Sequence, residues 1–328
     1  MSKEASCNNI TPTYVGRYCL ALMLVLLLVA GCQARLDWSG VHSQQSRSIQ
    51  RADLLQAATE YKGTIVTVGA MGVVITSEDG GTSWQRTTIV EKPFFIDVSA
   101  CPDGDFYAID NVDGLWSRQS GTSWSSRPLP EGTEPQALTC DLSGTLWVVG
   151  GFGTILSSTD SCSNWDAFSL DEDVYLTTVQ FVDAAHGFVT GEFGTVLYTG
   201  DHGSSWQRAE DLPDSFYSQA AGFIDASTGW VVGLNGTIWH TSDGAQTWQQ
   251  ENNGNTAPLY GIATVGDAVV TVGDNATVLY RRRGDPSWSK LKSSVGTRTY
   301  LRAVVGLGGD QFTAAGGGVL FTAAVPQT

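Results

Sequence analysis

The chain has 328 residues, 42% hydrophobic and only 16% charged, with 38 glycines and 11 tryptophans. That is the composition of a folded chain, not a disordered one. Eighteen basic against 33 acidic side chains give a formal charge of −15, which disfavours a nucleic-acid binder, because such proteins need a basic face to displace counterions from phosphate. Length alone does not set the domain count, since repeat rings run past 250 residues as one unit.

The first segment is an address. Lys3 and Arg17 lie in a polar start, followed by an unbroken apolar run from Leu20 to Ala30. That run is too short to cross a bilayer as a helix, and the pattern predicts a removable export signal over residues 1–31. Val29-Ala30-Gly31-Cys32 resembles the bacterial lipobox, which implies that Cys32 is lipidated and becomes the first residue. Each buried acyl methylene contributes about 0.8 kcal/mol, so the chain is expected to be membrane-anchored and not membrane-spanning. Gln33 follows the anchor; by the sorting rules of such lipoproteins this implies a periplasm-facing outer-membrane protein in a Gram-negative host, or the thylakoid lumen in a cyanobacterium. Residues 32–48 are then the lipidated N-terminus and a closing strand.

Losing Lys3, Arg17 and Glu4 leaves 16 basic and 32 acidic side chains, and Cys101, Cys140 and Cys162 remain besides the anchor. An odd number cannot all pair within one chain. Cys101 and Cys140 fall at similar places in successive repeats, so a bridge is conceivable, but buried free thiols are the default expectation.

The repeat is read from tryptophan. Trp84, Trp124, Trp165, Trp206, Trp248 and Trp288 recur at intervals of 40 to 42 residues, and Gly69, Gly150, Gly191, Gly233 and Gly273 each stand fifteen before one of them. Segments such as Gly187-Phe188-Val189-Thr190-Gly191 and Gly194-Thr195-Val196-Leu197-Tyr198 are glycine-bounded strands. Val66, Trp147, Phe188, Trp230 and Val270, three residues before the glycines, are expected to fill the space between sheets. Four short strands per module, repeated radially, predict an all-β seven-bladed β-propeller over residues 49–328. The seventh copy starts at Gly316 but reaches 328 before its tryptophan, while Leu36-Asp37-Trp38-Ser39 stands upstream as an orphan. Residues near Trp38 are therefore expected to supply the last blade's outer strand.

Ser77-Glu78-Asp79-Gly80-Gly81-Thr82-Ser83-Trp84 and Thr199-Gly200-Asp201-His202-Gly203-Ser204-Ser205-Trp206 resemble the Asp-box. Its carboxylate can accept the N–H groups of its own turn, which makes Asp79, Asp160, Asp201 and Asp243 structural residues. Cys162 and Ala245 replace the turn glycine in two copies, Gln119 replaces the aspartate in another, and Arg281-Arg282-Arg283 ends the motif in the sixth. Sialidases also carry Asp-boxes, so a carbohydrate-binding or glycosidase-like envelope propeller is the alternative function. It would need an arginine cluster, a Tyr–Glu nucleophile pair and a separate acid, and no such set is present. His42, His186, His202 and His240 fall in different modules without metal-ligand spacing. No catalytic, cofactor-binding or metal residues are expected, and the chain is read as a non-enzyme.

Seven modules with Gly-x-x-Gly-Thr-x-Leu and a degenerate Asp-box, behind a lipobox, resemble the photosystem II stability and assembly factor family. Asp183-Ala184-Ala185-His186-Gly187-Phe188-Val189-Thr190-Gly191 and Asp225-Ala226-Ser227-Thr228-Gly229-Trp230-Val231-Val232-Gly233 carry the likeness, which covers residues 34–328. It implies a monomeric, membrane-tethered scaffold that binds a membrane-protein assembly intermediate through arginines: the photosystem II reaction centre in a photosynthetic host, another envelope complex otherwise. Arg281, Arg282, Arg283, Lys290, Lys292, Arg298 and Arg302 face only Asp285 within 22 positions. That local positive field on an acidic body makes Arg281, Arg282, Arg283, Arg298 and Arg302 the expected partner-binding residues.

Overall fold

A computed structural model describes residues 40, 43, 46–119, 123–292, 295 and 299–327. Arg47–Thr328 form one compact unit. The proposed leader, Cys32 and Trp38 lie outside the described residues.

Seven antiparallel sheets follow one another along the chain, each a simple meander. Blade 1 runs from an inner strand, Leu55–Tyr61, through Thr64–Gly69 and Val73–Ser77 to an outer strand, Gln85–Thr88. The other inner strands are Phe95–Ala100, Pro135–Cys140, Leu176–Phe181, Ser218–Phe223, Leu259–Val265 and Leu301–Gly306. Each inner strand touches the next, and the last touches the first. The ring is therefore closed, and the fold is the seven-bladed propeller that the tryptophan spacing predicts.

The core lies between the sheets, not within one. Among the described residues seven apolar clusters occupy the seven wedges between neighbouring blades. Val66, Trp147, Phe188, Trp230 and Val270 are all buried there, as their position before the marker glycine predicts. The repeat tryptophans pack into the wedge that each blade shares with its predecessor: Trp84 between blades 7 and 1, and so on to Trp288 between 5 and 6. In the wedge between blades 6 and 7 the C-terminal Val325 is buried instead.

Blade 7 has three strands among the described residues. The chain approaching blade 1 runs beside it: Leu54 bridges Gly317, the Gly318 N–H donates to the Asp53 carbonyl at 2.7 Å, and Ile49 packs on the wedge to blade 1. Arg86 on the blade 1 outer strand secures this approach through two 2.9 Å bonds to Asp53.

The turns before the repeat tryptophans are built around their aspartates. Asp79 Oδ1 accepts the N–H groups of Thr82 and Ser83 at 3.1 and 2.8 Å, Asp160 and Asp243 do the equivalent, and Asp201 Oδ1 accepts the Ser205 N–H at 2.9 Å. Hydroxyls of Ser83, Ser205 and Thr247 add bonds to the second oxygen. This donation holds Asp79, Asp160 and Asp201 down at about 2. The turn needs a left-handed residue, which Gly81 and Gly203 supply at φ +89° and +72° and which Cys162 and Ala245 adopt as well, at +67° and +65°. Glycine is required at 203, where a Cβ would come within 2.1 Å of the Trp147 ring.

The cysteine expectation needs correcting. Cys101 and Cys140 are joined by a disulfide, with Cα atoms 5.1 Å apart, and among the described residues Cys162 alone is a free buried thiol, pushed up to about 11 by burial. Both bridged residues sit at the far ends of neighbouring inner strands. There the sheets converge on the axis, and the Cys140 N–H donates to the Ser99 hydroxyl of the adjacent blade. The ring thus brings together two ends that lie 39 residues apart in sequence. Replacing both cysteines by serine should lower the unfolding free energy by about 2–4 kcal/mol, read as a shift in the urea midpoint.

Candidate binding face

In a four-stranded meander the turns alternate between edges. The turns linking strands one to two and three to four, which include the Asp turns, therefore share one face of the ring. The turns linking strands two to three share the opposite, entry face with the connections to the next blade.

The inner strands carry a feature that their sequences do not advertise. In every blade the register slips at the second residue, so that this residue bulges out of the ladder. The seven bulged positions are Gln56, Ile96, Gln136, Thr177, Gln219, Tyr260 and Arg302, and together they line a cavity of about 200 Å³ at the axis. A bulge re-aims a side chain; repeated sevenfold, it turns one residue per blade toward the channel mouth on the entry face. The sequence signal is recoverable afterwards: each such residue with a marker glycine stands thirteen or fourteen positions before it.

One position deeper the ring is made of small residues, including Ala57, Ala137, Ala220 and Gly261, except in blade 2, which places Asp97 there. Gly261 cannot be larger, because a Cβ would come within 2.3 Å of the Arg302 carbonyl. Asp97 Oδ2 accepts the Leu138 N–H of the next blade at 2.9 Å, and Oδ1 accepts the Val98 N–H at 2.8 Å. Burial in the narrow channel outweighs these bonds and pushes the carboxyl up to about 6, with Arg302 pulling weakly the other way.

Arg302 itself is exposed and has no ion-pair partner among the described residues. Its charge is felt by Tyr217, Tyr260 and Tyr300. The mouth therefore offers one guanidinium among phenol and amide groups, a setting suited to a carboxylate or a backbone carbonyl.

The structure brings Arg281, Arg282 and Arg283 together but sets them apart from Arg302. They line a groove of about 570 Å³ beside Trp230 and Val269 on the Asp-turn face, while Arg298 lies outside the described residues. Two of the three are already engaged within the chain. Arg281 pairs with Glu251, whose other oxygen accepts the Trp288 indole N–H at 2.6 Å. Arg282 binds Asp267 and, at 2.9 Å, Asp310, and it donates to the Pro326 and Val325 carbonyls at 3.0 and 3.3 Å. It thereby holds the C-terminal segment over the last wedge. Sequence reasoning sees seven cations within 22 positions; it cannot see the carboxylates that the fold brings to Arg281 and Arg282.

The three histidines among the described residues are likewise built into the framework, and His42 lies outside them. His202 Nε2 lies 2.7 Å from the buried Asp141, which also accepts the Trp147 indole N–H, and His186 lies 2.9 Å from Asp183. His240 stacks on Trp230 at 4.9 Å, and burial lowers its pKa, opposed by Glu251 and aided by Arg281.

No family model and no curated protein sequence matches the chain. Solved structures do resemble it. YCF48 bound to a D1 peptide is 17% identical, with a TM-score of 0.70 over 85% of this chain and 94% of that one. YCF48 from Cyanidioschyzon merolae is 16% identical, with a TM-score of 0.68 over 83% and 95%. A virginiamycin B lyase from Staphylococcus aureus is 10% identical, with a TM-score of 0.73 over 84% and 96%. At these identities the likeness is one of fold.

The raised Asp97 has a consequence for stability. The folded chain holds this proton more tightly than the unfolded chain, so the stabilisation is complete below the ordinary value of 3.8 and is lost as pH rises through about 6. Across that window Asp97→Asn should gain several degrees in Tm relative to the native chain, as measured by thermal melts at a series of pH values.

Proposed function

We propose that this chain is a non-catalytic, membrane-tethered binding propeller that holds a segment of a membrane protein while that protein is assembled. The observation that carries this reading is the channel mouth, where one exposed arginine stands among tyrosines and glutamines on seven rigid strands. A peptide with a carboxylate can use such a site, and the likeness in fold to YCF48 bound to a D1 peptide supports a membrane protein as the partner. In a photosynthetic host that partner is a photosystem II reaction-centre subunit; elsewhere it is a subunit of another envelope complex. Because Arg281 and Arg282 are engaged within the chain, we assign the binding role to Arg302, and the exposed Arg283 has no ion-pair partner among the described residues.

Crosslinking in the native cell, followed by identification of the attached membrane proteins, tests this. Arg302→Glu should abolish recovery of the partner while leaving Tm within a few degrees, and undiminished recovery would overturn the assignment. The tether has its own test: Cys32→Ser should abolish incorporation of labelled fatty acid and move the protein from the membrane to the soluble fraction.

A further inference from the structure

Of the large apolar side chains that stand exposed among the described residues, all but Leu142 lie in connections on the entry face. Three of them contradict their local chemistry in the same way: Met71 of blade 1, at φ +59° and 59% exposed, and the two aromatic residues of the neighbouring blades 3 and 4. Phe152 and Phe193 occupy the middle of the two-to-three turns of blades 3 and 4, in left-handed backbone at φ +53° and +55°. Blades 5 and 6 place Asn235 and Asn275 at this position with the same geometry, and asparagine is the residue type that tolerates it best. A phenylalanine there adds strain and also leaves 54% and 62% of its surface in water. Neither the fold nor solubility explains it twice over.

The turns that carry the two rings are linked through Tyr175 and stand among carboxylates. Tyr175 lies between them: its ring flanks Gly151 beside Phe152, its hydroxyl donates to Glu134, and its N–H donates to Glu192 beside Phe193 at 3.1 Å. Asp171 and Asp173 are exposed in the same connections. From residue 128 to 207 the sequence contains eleven carboxylates and no lysine or arginine. The first cation after that stretch, Arg208, is held by Glu172 and Asp211.

We propose that blades 3 and 4 of the entry face form a docking surface for a protein segment that carries both basic and apolar side chains, with Phe152 and Phe193 as its anchors. Charge selects this occupant. An anionic lipid surface would be repelled by Glu134, Asp171, Asp173 and Glu192, and so would a second copy of this acidic face, whereas lysines flanking an apolar residue meet carboxylates around each ring. The surface is distinct from the Arg302 site and does not depend on it.

The test uses the full chain and a fluorescent peptide of alternating lysine and leucine, with glutamate–leucine and lysine–serine peptides as controls. The lysine–leucine peptide should bind in a salt-dependent manner, and each control at least about tenfold more weakly. Phe152→Asn/Phe193→Asn, which installs the residue that blades 5 and 6 already carry, should weaken lysine–leucine binding by at least about tenfold with Tm unchanged or raised. Arg302→Glu should leave this binding in place. Equal binding by the native and doubly substituted chains overturns the proposal. So does co-sedimentation with phosphatidylcholine vesicles, or self-association in the ultracentrifuge, that disappears with the two phenylalanines.

Discussion

Everything in this molecule depends on apolar packing between neighbouring sheets. A single blade has two faces to bury and no partner of its own, so each sheet gains its stability only when sheets on both sides supply the other half of a wedge. The large side chain before each marker glycine and the indole before each outer strand are two halves of that requirement. Because the demand is the same in every wedge, it writes itself into the sequence at a fixed interval, and the seventh wedge closes only when blades 7 and 1 meet around Leu55, Ala303 and Ala315.

That is why so much of the architecture is legible from residues alone. Burial of Val66, Trp147 and Trp230 follows from position, as does the bonding of Asp79 and Asp201 within their turns, since both are local or strictly periodic. What escapes is the meeting of side chains from different blades. The disulfide between Cys101 and Cys140, the carboxylates that engage Arg281 and Arg282, and the burial of Val325 in the last wedge all arise from neighbours that only the closed ring defines.

The charges divide by role in a way that the net charge of −15 conceals. Two cations of the basic run are drawn inward: Arg281 joins a network with Glu251, Trp288 and His240, and Arg282 fastens the C-terminal segment. Carboxylates on the Asp-turn face are likewise engaged by their own backbone. On the entry face the exposed ionic groups divide, with Arg302 at the axis standing apart from an acidic, aromatic sector on blades 3 and 4. One face can therefore present opposite chemistries to two parts of one extended partner without either disturbing the core.

The repeated bulge gives this arrangement a latitude that a smooth ladder would lack. Since each blade ejects one residue from its pairing at the same height, the identity of that residue has little influence on register or on the wedges behind it. Glutamine, isoleucine, threonine, tyrosine and arginine all occupy the position in this one chain. The mouth is in effect a seven-letter word whose letters can be exchanged singly. A lineage could retarget such a ring by substitutions at the axis alone, keeping the scaffold while changing what it greets.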